Sequence, residues 1–208
     1  MKKVCCCVPL SWDYLPAQFF KSYCEMSQYA IGKYGMSITS NRSCYMDHMR
    51  DQLASIAIKE GANYILFLDA DQTYPADTPE RLMKHVDSGK LVVGGVTPDK
   101  RDGRPLVYKF GDRDKIRRLE PDEFKINQGL KSVDCMGFGG IMVHPKVFRK
   151  MKPPYFKMSW DEENRQLLGE DVKFYLNCRL YGIQPWCDTD LVYGHVSNRI
   201  MNVHEDYQ

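Results

Sequence analysis

Tyr64-Ile65-Leu66-Phe67-Leu68-Asp69-Ala70-Asp71 decides how this chain is read. Its apolar run predicts a fully buried strand, which then ends on two carboxylates one residue apart. Residues i and i+2 of an extended segment point to the same side, so Asp69 and Asp71 can converge on one spot. Two converging anions repel unless a cation or an oriented donor sits between them. In an open α/β sheet, the crevice off the carboxyl ends of the strands is where ligands bind. The same Asp-x-Asp also suits a helix N-cap or a turn after a core strand, with Pro75 close behind.

The remainder of the chain has the rhythm such a strand needs. Lys3 to Pro9 reads as a first strand, and Pro16 to about Ile31 as a helix with Phe19, Phe20, Tyr23, Met26 and Ala30 on one face. Met36 to Thr39 is a short strand followed by a Ser40-Asn41-Arg42 loop. A second helix runs from about Ser43 to Lys59 and stops at Gly61. After Pro75 comes another helix, ending at Gly89, and then the strand Leu91 to Val96. This alternation predicts an α/β fold with a parallel, doubly wound sheet.

Beyond Thr97 the rhythm is lost. Pro105 to Phe110, Ser132 to Met136 and Gly140 to Val143 read as strands, Lys146 to Met151 as a helical turn, and Gly169 to Tyr181 as a helix. Gln184 to Val196 is a final strand-like segment. Lys100 to Gln128 is polar and basic (Arg113, Lys115, Arg117, Arg118) and is expected to be a mobile loop that closes over a pocket. Neither repeats nor a linker interrupt the chain, so residues 1–208 are expected to form one domain.

With 208 residues, 43% hydrophobic and 27% charged, the chain has the composition of a globular protein with a sizeable core. A formal net charge of +2 gives no ground for a nucleic-acid partner. Lys2-Lys3 precede only a short apolar run broken by Pro9, so no secretory signal is expected here, and no run is long enough to span a bilayer. Eight cysteines include no Cys-x-x-Cys pair, so they are expected to be buried small hydrophobes in a reducing cytoplasm.

Three further motifs carry possible chemistry. Gly169-Glu170-Asp171 opens a helix whose dipole keeps carboxylates ionised. The pair is either simple first-turn capping or holds a general base. Gly194-His195 follows a strand-like run, and the imidazole is either a core or surface residue or a third metal ligand beside Asp69 and Asp71; a mixed oxygen and nitrogen set suits Mn²⁺ better than Mg²⁺. Gly137-Phe138-Gly139-Gly140 lacks any phosphate-loop spacing, but its glycines permit close backbone approach to a ligand or a bulge. Tyr155 and Trp160 are either core aromatics or a sugar-stacking wall.

In this order, the first strand ending at Pro9, Asp69-Ala70-Asp71, Pro75, Val92-Val93-Gly94-Gly95-Val96, Gly137-Phe138-Gly139-Gly140, Gly169-Glu170-Asp171 and Gly194-His195 resemble the motifs of GT-A glycosyltransferases. The resemblance is to the compact, family-2-like members of bacteria, archaea and their viruses, and it covers nearly the whole chain. It implies a Rossmann-like, mostly parallel sheet with helices on both faces and a smaller antiparallel acceptor-side part. Residues 1–96 would form the nucleotide-binding half and 97–208 the acceptor and catalytic half.

The resemblance further implies a hexosyltransferase that takes a UDP- or GDP-linked sugar to a saccharide or other hydroxyl-bearing acceptor. Asp71 would hold Mn²⁺ or Mg²⁺ against the diphosphate, with Asp69 nearer the ribose or a metal-bound water and His195 as a later ligand. Asp171, the second acid of its pair with Glu170, would be the base of an inverting enzyme. Pro9, Ser11, Asp13, Asn41 and Arg42 would line the nucleobase and ribose pocket, with Arg50 near the diphosphate and Ala70 between the two aspartates. Gly137, Phe138, Gly139, Gly140 and Trp160 would border the sugar or acceptor.

The Gln-x-x-Arg-Trp motif of processive synthases is absent, which disfavours that branch. Two other readings remain open. Asp69-Ala70-Asp71-Gln72-Thr73 also fits the Asp-x-Asp-x-Thr motif of haloacid-dehalogenase-like phosphatases, with Asp69 as nucleophile. A non-catalytic nucleotide-sugar-binding domain would keep the same fold without turnover.

Overall fold

The computed structural model describes residues 1–11, 14–43, 45–111, 115–162, 165–196, 200–201 and 207. Its first half runs β1 (Lys3–Leu10), α1 (Ala17–Ala30), β2 (Gly35–Arg42), α2 (Met46–Lys59), β3 (Tyr64–Phe67), β4 (Gln72–Thr73), α3 (Thr78–Asp87) and β5 (Val92–Val96). The second half holds β6 (Val107–Phe110), β7 (Ile116–Arg118), β8 (Leu130–Ser132), β9 (Cys135–Met136), β10 (Ile141–Val143) and α4 (Lys146–Lys150). It closes with β11 (Ser159–Asp161), β12 (Gln166–Leu168), α5 (Glu170–Leu180), β13 (Pro185–Val192), β14 (Gly194–Val196) and β15 (Ile200–Met201).

The central sheet has seven strands in the order β2-β1-β3-β10-β5-β13-β8. β1 pairs in parallel with both β2 and β3, and β5 with β13, whereas β10 and the edge strand β8 run antiparallel to their neighbours. The mixed α/β architecture, with its mostly parallel main sheet and smaller antiparallel sheets, is the one expected.

Strand periodicity explains why this sheet is buried on both sides. Successive side chains point to opposite faces, and they sort into two separate cores. Cys5, Cys7, Ile65, Phe67, Val92, Ile141 and Val143 face one way, onto Leu53, Ala54 and Ala57 of α2 and Phe174 and Cys178 of α5. Val4, Cys6, Val8, Leu66, Val93 and Met142 face the other, onto Phe19, Met26 and Ala30 of α1 and Leu82, Met83 and Val86 of α3. Continuous apolar runs, rather than alternating ones, are what a doubly covered sheet demands. The cysteines fit this account: Cys5, Cys6, Cys7, Cys135, Cys178 and Cys187 are buried, Cys24 is partly so, and none of these forms a disulfide. Cys44 lies outside the described residues.

The sequence does not announce the insertion of β10 between β3 and β5. That insertion depends on close backbone approach. A Cβ on Gly94 would come within 2.1 Å of Ile141 Cδ1, and one on Gly140, whose φ is +78°, within 2.1 Å of the Tyr193 ring. The Tyr193 hydroxyl donates to the Gly140 carbonyl at 2.8 Å, which fixes the ring against the bend.

Two expectations are corrected. Ser40-Asn41-Arg42 is not a loop: these residues extend β2 alongside Val8-Pro9-Leu10. The described residues between Lys100 and Gln128 are also less irregular than expected. β6 is the centre of a three-stranded antiparallel sheet in the order β7-β6-β9, with Phe124 buried beneath it. Arg117 is paired with Glu123 at the surface, and Arg118 is held by Asp99 and Asp102 in a largely buried cluster, so both charges have partners within the segment's own neighbourhood. Arg113 lies outside the described residues. Among the described residues, no helix is long and apolar enough to cross a membrane.

Candidate active site

The parallel strands β1, β2, β3 and β5 deliver their following loops to the same edge of the sheet. β3 ends at Phe67, and the chain then turns, with the Gln72 N–H donating to the Asp69 carbonyl at 3.2 Å. The buried Tyr74 hydroxyl fixes this turn: it accepts from the Asp69 N–H at 2.8 Å and lies 3.1 Å from the Asp69 carbonyl. The two aspartates of the motif have different partners.

Asp69 Oδ1 is 2.8 Å from Arg50 Nη2, and Arg50 Nη1 is 2.6 Å from Glu170 Oε1. Arg50 is only 4% exposed, and its guanidinium carbon lies 4.9 Å above the centre of the Phe138 ring. One buried cation thus ties the Asp-x-Asp turn, α2 and the N-terminus of α5 together. Burial opposes the charge on Arg50, but Asp69, Glu170 and Asp171 outweigh it and raise its pKa. Burial also pushes the Glu170 carboxyl up; Arg50 opposes that shift and Asp171 adds to it. Asp69 is therefore held by a fixed cation, which does not suit a free phosphoryl-accepting nucleophile.

Asp71 is met by other elements, β14 and the turn after β5. β14 pairs antiparallel with β4, placing His195 opposite Gln72, and the Val196 N–H donates to the Asp71 carbonyl at 2.7 Å. This pairing brings His195 Nε2 to 3.7 Å from Asp71 Oδ1. The imidazole is oriented from behind, with Nδ1 2.8 Å from the Pro98 carbonyl. A carbonyl can only accept, so Nδ1 carries the proton, and in the neutral ring the Nε2 lone pair faces the carboxylate. At 3.7 Å that pair is too long for a hydrogen bond. Two acceptors facing across such a gap suit a divalent cation between them. No cluster of three His, Cys, Asp or Glu suited to an ion occurs among the described residues. Mg²⁺, however, is commonly held by one or two carboxylates with the rest of its shell drawn from substrate phosphates and water, and adding an imidazole to such a set suits Mn²⁺. The donor set Asp71 and His195 fits that pattern; Asp69, engaged by Arg50, stands outside it.

The second oxygen of Asp71, Oδ2, is in contact with Lys100 Nζ. Burial works to raise the Asp71 carboxyl, but a protonated His195 and the Lys100 ammonium outweigh it and draw it down to about 2. The turn carrying Lys100 is closed by Asp99 N–H to Arg104 carbonyl and Gly103 N–H to Asp99 carbonyl bonds, both 2.9 Å. The buried Asp99 carboxylate receives Arg101 at 2.8 Å and Arg118 at 2.6 Å.

At the opening of α5, Asp171 Oδ1 accepts from the Val172 N–H at 2.7 Å. Glu170 and Asp171 both sit in the first helical turn, where the dipole favours carboxylates. Along the leading edge, Pro9 is opposite Asn41 and Leu10 opposite Arg42, so the proposed nucleobase side is contiguous. Asn41 donates to Gln52 of α2, and Ser11 is exposed just past β1. Asp13 lies outside the described residues. Ala70 is buried between the aspartates.

The residues expected to border a sugar are divided. Phe138 is 2% exposed, with Phe67, Phe156 and Phe174 rings centred 4.9–5.1 Å away, so it is core beneath Arg50 and not a pocket wall. Gly139 gives room to Gln72, Gly140 to Tyr193 and Gly137 to Leu106. These glycines shape the floor of the site through packing. Tyr155 packs on Phe148 in the core. Trp160 is 55% exposed on the β11–β12 hairpin, directly opposite Leu167, so the two aromatics form no common wall.

Sequence reasoning missed Lys100 and the bridging role of Arg50. For Arg50 a signal existed: with Ala54 and Ala57 it occupies i, i+4 and i+7 of the buried stripe of α2, where a charge needs partners. For Lys100 there was none, because its placement depends on the Asp99 turn.

No family model and no curated protein matches the chain. Solved structures do. The crystal structure of A197 from STIV superposes with a TM-score of 0.63 at 15% identity, covering 99% of this chain and 95% of that one. S. aureus TarS, residues 1–349, gives 0.54 at 12% identity over 93% of this chain, and its complex with UDP-GlcNAc gives 0.52 at 10%. The chain spans 59% and 57% of the two TarS chains. At these identities the likeness is one of fold: this chain shares its architecture with A197 and with TarS.

Proposed function

We propose that the chain is a metal-dependent glycosyltransferase that moves a hexosyl group from a UDP- or GDP-linked sugar to an acceptor hydroxyl with inversion at the anomeric carbon. The observation that carries this reading is the facing pair Asp71 Oδ1 and His195 Nε2, 3.7 Å apart at the carboxyl edge of a TarS-like sheet. Asp71 and His195 would hold Mn²⁺ or Mg²⁺, which when bound neutralises charge developing on the departing diphosphate.

The chain's own residues account for the remaining requirements. Pro9, Ser11, Asn41 and Arg42 offer a contiguous edge for the nucleoside. Arg50 locks Asp69 to Glu170, so donor turn and catalytic helix keep a fixed spacing, which orientation-dependent chemistry needs. Asp171 spends one oxygen on the Val172 N–H and presents the other to the acceptor. In transfer, the acceptor oxygen bonds to the anomeric carbon as the bond to the diphosphate breaks, and the hydroxyl proton passes to Asp171. Bond breaking that runs ahead of attack makes the hydroxyl acidic enough for a carboxylate base.

The test is a panel of UDP- and GDP-sugars with Mn²⁺ or with chelator, read by thermal shift and by release of the nucleoside diphosphate. Metal-dependent stabilisation and release are expected. The absence of any stabilisation by UDP, GDP or their sugars would refute the reading, and release of phosphate from p-nitrophenyl phosphate would favour the phosphatase instead.

A further inference from the structure

Lys100 is in an unusual position. It stands at the tip of a turn that also supplies, through the Pro98 carbonyl, the hydrogen bond that orients His195. The turn is fastened at its base by the Leu106 N–H to Thr97 carbonyl bond of 2.8 Å and at its flank by Asp99, which Arg101 and Arg118 grip. A single rigid loop therefore sets both neighbours of the Asp71 carboxylate: imidazole on Oδ1, ammonium on Oδ2.

The nearby cations differ in their freedom. Arg50 is buried and shared between two carboxylates, and Arg118 is held by Asp99 and Asp102. Lys100 is 41% exposed at its side chain and has one described partner. Its ammonium rides on a flexible four-carbon stem, a compact charge that can change partners without moving the backbone. A divalent ion bound at Asp71 would compete for the same carboxylate charge, and the diphosphate arriving with it brings new acceptor oxygens within reach of the released ammonium.

We propose that Lys100 is a built-in counter-cation of the donor site: it neutralises Asp71 when the site is empty and passes to the donor's diphosphate when a divalent ion takes over the carboxylate. The proposal rests on the glycosyltransferase reading above and adds to it a phosphate-positioning residue outside the aspartate motif. It makes two opposite demands on one side chain, which a plain surface ion pair does not. Removing Lys100 should strengthen metal binding to the empty protein, because a competitor is gone. It should also weaken nucleoside diphosphate binding in saturating metal, because a charge-assisted phosphate contact is gone.

The experiment compares the full chain with Lys100→Met and Lys100→Arg. Mn²⁺ binding without nucleotide is followed by electron paramagnetic resonance. UDP and GDP binding in saturating Mn²⁺ is followed by calorimetry, with uridine and guanosine as phosphate-free controls in competition. For Lys100→Met, Mn²⁺ alone is expected to bind about 3- to 10-fold tighter, and the preferred nucleoside diphosphate about 10-fold or more weaker, with nucleoside binding unchanged. Lys100→Arg should restore most of the nucleotide affinity. If the wild type binds UDP or GDP but Lys100→Met changes neither affinity, or changes both in the same direction, the proposal is overturned and the glycosyltransferase reading stands. If the wild type binds neither UDP nor GDP with Mn²⁺, both fall together.

Discussion

Arg50 Nη1 and Glu170 Oε1 lie 2.6 Å apart although 120 positions separate them in the chain, and both are largely shielded from water. The same guanidinium holds Asp69. The turn expected to meet the donor and the helix expected to carry the base are therefore joined by one buried cation. Removing that cation leaves two carboxylates facing each other in a desolvated space.

Arg50→Met is accordingly expected to destabilise the protein by about 3–5 kcal/mol, the usual cost of stripping one partner from a buried pair. Arg50→Lys should recover part of this, because it restores the charge without the forked geometry. Urea unfolding of the two variants is the check; a loss under about 1 kcal/mol for Arg50→Met would show that water or a rearranged neighbour replaces the guanidinium.

Acid sensitivity should trace to Asp99. Arg101, with Arg118, holds its carboxyl well below the usual carboxylate range, against the upward push of burial. A carboxyl depressed in the folded state contributes stability that is present above its unfolded value, near 3.9, and lost as pH falls toward the folded value. Asp99→Asn should cost about 1.5–3 kcal/mol at neutral pH. Its stability should also fall less steeply than the wild type's below about pH 4. Parallel stability-versus-pH curves from chemical denaturation would contradict the assignment.

Asp171→Asn preserves shape and removes the proton acceptor. Turnover should fall roughly 10²- to 10⁴-fold with metal and nucleotide affinity nearly unchanged. Steady-state kinetics beside calorimetry separates the two effects. Wild-type transfer by this variant, or retention of configuration in the product, would remove Asp171 from the base role.

Gly140→Ala tests the bend before β10. The residue has φ +78° and would drive a Cβ to 2.1 Å from the buried Tyr193 ring, whose hydroxyl is anchored to the Gly140 carbonyl. Backbone strain and overpacking together should cost about 2–5 kcal/mol. A melting temperature within two or three degrees of wild type, read by calorimetry, would mean that the ring can swing aside.

The legible parts of this chain were those written in local periodicity. The apolar run Tyr64 to Leu68 and the helical stripes of α1, α2 and α3 each carry their own pattern, so the parallel half was readable from residue spacing. Ile141-Met142-Val143 was readable as a strand but not as an antiparallel insert, since three buried residues look alike in either direction. The β11–β12 hairpin is shorter than any window that defines alternation. Phe138 looked like a ligand-facing aromatic beside flexible glycines, whereas its neighbours Phe67, Phe156 and Phe174 come from three other segments. Local sequence marks what a side chain can do; the distant partners that surround it decide whether it remains accessible.

The pairing of β14 with β4 has a temporal consequence as well as a spatial one. β1, β2 and β3 are near neighbours along the chain and close small loops, whereas His195 meets Asp71 only after the chain returns from more than half its length away. Closing that long loop is the slower and entropically costlier event. Early in folding the chain can thus hold a formed parallel sheet in which Asp71 still lacks its imidazole. On the glycosyltransferase reading proposed above, competence to grip a nucleotide sugar would then arrive last, and a half-folded chain would have no means of holding, or wasting, its donor.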